Sequence, residues 1–423
     1  MKTIVPTVKG SREFYPEDMA RRVWLYQSLR QVSESYGFQE YDGPFLEKID
    51  LYAAKSGEEL VNQQSFVFQD RGGDKITLRP ELTPSLARMV AQKQGDLTLP
   101  LRWWSFGPFW RYERPQKGRT REFFQWNIDI IGVDTPEADA ELVSIAAAFL
   151  EKVGLTPDLV QIKVNNRQLM DAQFTKLGIS PELKGEVLHL IDRRDKMAPD
   201  AWEANALEIG LKPAELEGLK ALLTNPDLWK EDSSFNRFFA VLDAMGYRDY
   251  VSYDPQIIRG LDYYTGTVFE AREKDGGRAV LGGGHYGNLV GDVGGEPMPG
   301  VGFAMGDVMM LIVLEKYDKL PAYVPLKSKT LVTVFDAELL PRSFALAAEL
   351  RREGLPVVCY PDTAKLPKQL KYADKMGLRF ALIMGPDEAA EGKVTVKDLA
   401  NRTQETVLWS EVAGRINRAD GQS

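Results

Sequence analysis

Between Arg111 and Ile131 the chain reads RYERPQKGRTREFFQWNIDII, in which two strand-like runs flank a strongly basic turn. PFWRYE precedes the turn and REFFQWNIDII follows it, both built from aromatic and β-branched residues that suit a pleated, half-buried surface. Arg114, Lys117, Arg119 and Arg121 surround Gly118 at its centre. So many cations carried above a sheet point to a polyphosphate or a nucleic-acid backbone, because the arginine fork holds phosphate oxygens in pairs and a nearby carboxylate can position an amine or a base edge. A solvated charged loop is the competing reading. On the returning strand Phe123, Gln125, Asn127 and Asp129 share one face.

Composition narrows the classes. At 423 residues and 44% hydrophobic the chain can bury a sizeable core, divided into about two or three domains. A net charge of −8 argues against indiscriminate coating of nucleic acid but allows a local basic groove. The single cysteine, Cys359, excludes an internal disulfide framework and fits a reducing compartment; its expected role is a small buried hydrophobe on a strand. Neither a secretory h-region nor an apolar run of membrane-spanning length is visible, so a cytoplasmic, membrane-free protein is expected.

In chain order, Leu25, Leu29, Val32 and Tyr36 give a helix over 16–36 with one apolar face, stopped by Gly37. A strand broken at Gly43 and Pro44 follows. ITLRPELTPSLARM runs from strand into helix, where Glu81 offers a carboxylate and Thr83 a hydroxyl; Thr83 before Pro84 also reads as a helix cap. A helix is expected over 136–153, then the strand VQIKVNN, then a Leu-, Ala-, Lys- and Glu-rich helical insertion over about 170–247. RGLDYYTGTVFE occupies 259–270, and LGGGHYGNLVGDVGG, with glycines at 282–284, reads as loop. His189 has no second histidine or cysteine nearby, and no metal site is expected. After the connector KLPAYVPLKSK, the strands LVTVF, LPVVCY, RFALIMG and KVTVKDL alternate with amphipathic helices in a small α/β pattern. Lys368, Lys371 and Lys375 recur there at helical spacing, as solubilising charge or as a nucleic-acid contact.

RYERPQKGRTREFFQ resembles motif 2 of the class II aminoacyl-tRNA synthetases, and RGLDYYTGTVFE, about 150 residues later, resembles the second signature of the histidyl-tRNA synthetases. The similarity runs from KGSREFYPEDM to GKVTVKDL. It implies a mixed α/β fold: a class II antiparallel-sheet catalytic core over 1–325, interrupted by the helical insertion, and a small α/β anticodon-binding domain over 326–423. It implies ATP-dependent activation of L-histidine, with Mg2+, and transfer to tRNA-His by a homodimer that meets through its N-terminal core. Matching positions assign Glu81, Thr83, Arg111, Gln125, Asp129, Arg259, Tyr263, Tyr264 and Tyr286 to histidine, and Arg111, Glu113 and Arg119 to ATP. Arg259 and Arg111 would be the catalytic cations, placed where negative charge crowds the transition state.

The chain also departs from the family pattern. His285 replaces an arginine and Gly287 an aspartate of the usual GGGRYDGL, and Met309 stands where motif 3 places an ATP-binding arginine. Methionine packs against a ring but cannot neutralise phosphate. Because the other assigned residues stand together, compensation elsewhere is the expectation. Two alternatives keep the fold and lose the reaction: a noncatalytic regulator of ATP phosphoribosyltransferase, and a tRNA-binding sensor.

Overall fold

A computed structural model describes residues 4–53, 63–258, 264–326, 328–419 and 421. The chain divides into two compact units, one holding Arg21–Leu320 with the segment up to Phe14, the other holding Pro321–Ser423 with Tyr15–Ala20.

The first unit is organised on an eight-stranded sheet whose strands lie in the order Gln39–Glu40, Leu101–Trp110, Glu122–Ile131, Gly300–Gly306, Leu281–Tyr286, Tyr264–Glu273, Val160–Asn166 and Val251–Tyr253. Neighbouring strands are antiparallel except for the outermost pair at each edge. The hairpin expected from the basic turn forms its second and third strands: Leu101–Trp110 pairs with Glu122–Ile131 over its full length, from Leu101 opposite Ile131 to Trp110 opposite Glu122. The first of these strands starts earlier and ends earlier than PFWRYE implied, with one further cross-strand bond from Arg111 N–H to the Arg121 carbonyl at 2.9 Å.

Period-two alternation then divides the returning strand. Trp126, Ile128 and Ile130 are buried in the main core, while Gln125, Asn127 and Asp129 face the other way. Helix Pro136–Lys152 covers the core face; the Thr135 hydroxyl caps it by accepting from Ala138 N–H at 3.3 Å. Trp126 meets Phe149 of that helix at 5.5 Å and Phe303 of the adjacent strand edge-on at 4.8 Å between ring centroids. Fully buried aromatic rings at this junction hold the helix to the sheet and leave the polar face open.

The insertion is helical as read, starting at Arg167 rather than Met170 because Asn166 accepts from the N–H groups of Gln168 and Leu169 at 2.8 and 3.1 Å. Two local readings are corrected. Gly282–Gly284 lie inside the strand Leu281–Tyr286, where Gly283 and Gly284 have no room for side chains against the neighbouring strands. Thr83 is no cap: it opens helix Thr83–Lys93, whose capping residue is Leu82 without a side-chain bond.

The second unit carries a five-stranded sheet ordered Val357–Cys359, Thr330–Val332, Phe380–Ile383, Lys393–Asp398 and Thr403–Leu408. The first three strands are parallel and the last two antiparallel. Thr403–Leu408 is a largely exposed edge strand whose polar sequence, TQETVL, carried no strand signal. Lys368, Lys371 and Lys375 are exposed along helix Leu366–Lys375. Cys359 is half-buried rather than fully enclosed, and burial pushes its thiol up to about 11.

Candidate active site

The polar face of the sheet opens into a cavity of about 300 Å³. Glu81, Thr83, Arg111, Gln125, Asp129, Tyr264 and Tyr286 all line it, brought together from the 81–83 strand-to-helix turn, the basic hairpin and the strands beginning at Tyr264 and ending at Tyr286. Arg259 and Tyr263 lie outside the described residues. Glu113 and Arg119 line a neighbouring cavity of about 180 Å³, with Gly118, Val308 and Met309; Arg111 belongs to both cavities.

Arg111, one residue past the end of strand Leu101–Trp110, is held by the returning strand and by the turn that carries Glu81. Its Nε donates to the Pro80 carbonyl at 2.9 Å and its guanidinium lies 5.4 Å from the Phe123 ring centre. At the far end of the cavity, Tyr286 Oη donates to Asp129 Oδ1 at 2.8 Å. Burial pushes the Asp129 carboxyl up to about 7, with the Tyr286 hydrogen bond opposing that rise. Gly302 sits directly opposite Asp129 on the adjacent strand, and a Cβ there would collide with the Asp129 carboxylate. Burial likewise raises the pKa of the Tyr264 phenol. The cavity therefore presents one end with a fixed guanidinium and another with a carboxyl near its midpoint at neutral pH, the poles a zwitterion with a polar ring would need.

Arg119 Nη1 lies 3.1 Å from Glu113 Oε2, an ion pair on the wall of the smaller cavity. Arg121, part of the same basic turn, points elsewhere: its guanidinium stacks 3.9 Å from the Tyr112 ring centre and its Nε donates to the Glu113 carbonyl.

Several supporting residues carried no signal in the sequence reading. Arg79 is fully buried between the rings of Phe45 and Phe109, pairs with Asp42, and donates to the carbonyls of Pro108 and Gly43. It thereby fixes the strand end that leads into Pro80 and Glu81. Arg12 donates through Nη2 to both carboxylate oxygens of the buried Asp307, at 3.2 and 2.9 Å, and Asp307 accepts Phe124 N–H at 2.9 Å. This ties the N-terminal segment, the basic hairpin and the start of helix Asp307–Lys316 together. Asn127 and Glu270 also line the larger cavity. Alternation could have found both, since Asn127 lies between Gln125 and Asp129, and Glu270 shares the parity of Tyr264.

His285 faces away from this cavity. Its ring is buried, with Nδ1 2.9 Å from Asp139 Oδ1 and Nε2 3.2 Å from Asp134 Oδ1. Burial pulls its pKa down, but the Asp139 hydrogen bond and the charges of Asp139 and Asp134 outweigh it, and the net shift is upward. Among the described residues no group of three or more His, Cys, Asp or Glu side chains is placed to hold a metal ion.

An antiparallel sheet carrying a long charged hairpin, a glycine-lined polar face and a strand that passes directly into a helix defines the catalytic unit of a class II aminoacyl-tRNA synthetase. Residues 10–308 match the family model described as histidyl-tRNA synthetase, and residues 322–418 match that of the anticodon binding domain. The chain is 35% identical to the histidine--tRNA ligase of Leptospira biflexa over 98% of both chains, and 38% identical to that of Thermoplasma volcanium over 98% of this chain and 99% of the other. The solved histidyl-tRNA synthetase from Nostoc sp. PCC 7120 superposes with a TM-score of 0.82 at 28% identity, over 99% of this chain and 100% of the other. The chain belongs to the histidyl-tRNA synthetase family.

Proposed function

We propose that this protein is a histidine--tRNA ligase, in which residues 1–325 activate L-histidine with ATP and residues 326–423 form the anticodon-binding domain. One observation carries the site assignment: a single cavity collects seven of the residues matched to histidine and shares Arg111 with the cavity that holds Glu113 and Arg119. Asp129, Gln125 and the Tyr286 hydroxyl read the polar groups of histidine, with Glu81 and Thr83 at the ammonium end. Arg111 stands at the junction, against the histidine carboxylate and the ATP α-phosphate, and Glu113 and Arg119 orient the adenine side and the distal phosphates.

In the first step a histidine carboxylate oxygen attacks the α-phosphorus, the P–O bond to the β-phosphate breaks, and pyrophosphate leaves as histidyl-adenylate forms. In the second, a hydroxyl of the terminal adenosine of tRNA-His attacks the acyl carbon and AMP leaves. Fixed cations at the α-phosphate stabilise the charge that builds up there; Arg111 is one, and Arg259 is assigned as the other from its place in RGLDYYTGTVFE. Magnesium enters with ATP on its phosphates. No helix among the described residues is long and apolar enough to cross a membrane. A homodimer joined through the N-terminal core, working in the cytoplasm, completes the reading.

The test is histidine-dependent pyrophosphate exchange by the full-length protein with ATP and magnesium, followed by charging of tRNA-His. Exchange with another amino acid at an equal or greater rate under limiting conditions overturns the substrate assignment. Absence of charging by the folded protein, together with stimulation of an ATP phosphoribosyltransferase, replaces the ligase with the regulatory reading.

A further inference from the structure

The smaller cavity has a cation problem. It must face a triphosphate, yet position 309 contributes a thioether and the Arg119 guanidinium is paired with Glu113 at 3.1 Å. Its outer wall is the tip of the basic hairpin, where Gln116 and Arg119 exchange backbone hydrogen bonds: Gln116 N–H to the Arg119 carbonyl at 3.1 Å, and Arg119 N–H to the Gln116 carbonyl at 2.8 Å. Lys117 and Gly118 are therefore the two central residues of a four-residue turn. Gly118 has φ 79°, the conformation a type II turn requires at its third residue.

The soft coordinate of such a turn is its central peptide, here Lys117–Gly118, whose carbonyl is not used by the turn's own hydrogen bonds. Arg278 supplies that carbonyl with a partner. Its Nη1 donates to the Lys117 oxygen at 3.1 Å, across 161 residues of sequence. Arg278 is exposed in the irregular segment between Glu273 and Leu281; two residues on, Val280 N–H donates to the Ala271 carbonyl at 2.9 Å, and Ala279 and Val280 line the cavity beside Arg119. From beneath, the Met309 thioether fills the space a side chain at Gly118 would occupy. The tip is thus gripped through two successive residues, by a guanidinium on one side and an apolar seat on the other.

We propose that Arg278 is a positioning residue for the nucleotide: it holds the Lys117–Gly118 peptide in one orientation and so sets where Arg119 enters the cavity wall. The proposal rests on the assignment of this cavity to ATP. Methionine at 309 then has a function of its own, as the surface on which the glycine of the turn is seated, and the guanidinium that orders the phosphate side comes from the segment between Glu273 and Leu281.

The experiment is pyrophosphate exchange by full-length Arg278→Ala, Arg278→Lys and Arg119→Ala, with KM for ATP, KM for histidine and kcat measured separately and thermal melting as the check on folding. Loss of one charge-assisted hydrogen bond from the turn should raise KM for ATP about tenfold or more in Arg278→Ala, with KM for histidine within about twofold of wild type. Arg278→Lys, which keeps a cationic donor, should recover part of the loss. If Arg119→Ala raises KM for ATP and a folded Arg278→Ala does not, the proposal is overturned and the nucleotide assignment stands. If neither variant changes KM for ATP, the cavity is not the nucleotide site and both readings fail. Equal rises in both KM values for Arg278→Ala also overturn it, since a general loosening of the sheet would do the same.

Discussion

The Met309 sulfur sits where a Gly118 side chain would have to go, so the helix start and the tip of the basic hairpin are packed against each other at a position where neither can grow. An arginine at 309 would replace the thioether that closes on Gly118 with a longer, charged and hydrated group in the same close contact. Met309→Arg should therefore impair rather than restore nucleotide use, raising KM for ATP roughly tenfold, within the usual cost of overpacking. Gly118→Ala should act in the same direction through both the collision and its positive φ. Met309→Leu should remain close to wild type. Exchange kinetics on the three variants decide it, and stimulation by Met309→Arg would show that the seat is empty in solution.

Asp129 should make the ligand-free protein less stable as pH rises. Its folded pKa, about 7, lies above the unfolded value near 4, so between those values the folded state holds a proton the unfolded state has lost. Stability from this group is full below about 4 and declines through about 7. Asp129→Asn abolishes the titration, so its melting temperature relative to wild type should improve from pH 5 to pH 8. An unchanged difference across that range would remove the shift.

His285 has the same direction of pH dependence, here because its charged form is the one stabilised. Its pKa is raised in the folded state by Asp139 and Asp134, so its stabilisation is present in full below the unfolded value, about 6.5, and is lost as pH rises through the folded value. His285→Gln should depress the melting temperature more at pH 6 than at pH 9. A pH-independent loss would assign His285 a packing role alone.

Arg12 and Asp307 form a pair with its acid wholly buried. Removing only the arginine leaves a carboxyl that burial already drives upward, with backbone N–H donors and the nearby charge of Arg22. Arg12→Ala should cost about 3 kcal/mol, and Arg12→Ala with Asp307→Asn clearly less than the sum of the two single changes. Denaturant titration of the four-member cycle measures the coupling; strict additivity would show that the pair contributes nothing.

Deleting the chain after Pro325 should separate the two activities. The sheet that carries both cavities belongs to the unit ending at Leu320, whereas the second unit has its own buried core around Leu346, Phe380 and Val412. Histidine-dependent exchange should persist and charging of tRNA-His should fall sharply. Undiminished charging by the shortened protein would remove the assigned role of the second unit.

Much of this site was legible because its signals are local. The alternation from Phe123 to Asp129 already states which residues share a face, and it needs only the pleat of the strand to place Gln125 and Asp129 on the open side and Trp126 and Ile128 in the core. The helical insertion follows from its Leu-, Ala-, Lys- and Glu-rich composition, and the cationic helix bearing Lys368, Lys371 and Lys375 from helical spacing.

What the sequence could not state depends on distance along the chain. Arg12 meets Asp307 across 295 residues and Arg278 meets Lys117 across 161, and no periodicity links such partners. Three glycines read as loop became strand because the ladders on either side leave no volume for side chains, a property of neighbours that the segment itself does not contain. The sequence by itself determined the hairpin, the open face of the sheet and the residue types offered there. The tertiary structure decided which charges are paired, that His285 turns from the cavity to two acids, and that Met309 is a seat for Gly118, because burial and ion pairing are set only when distant segments close around one another.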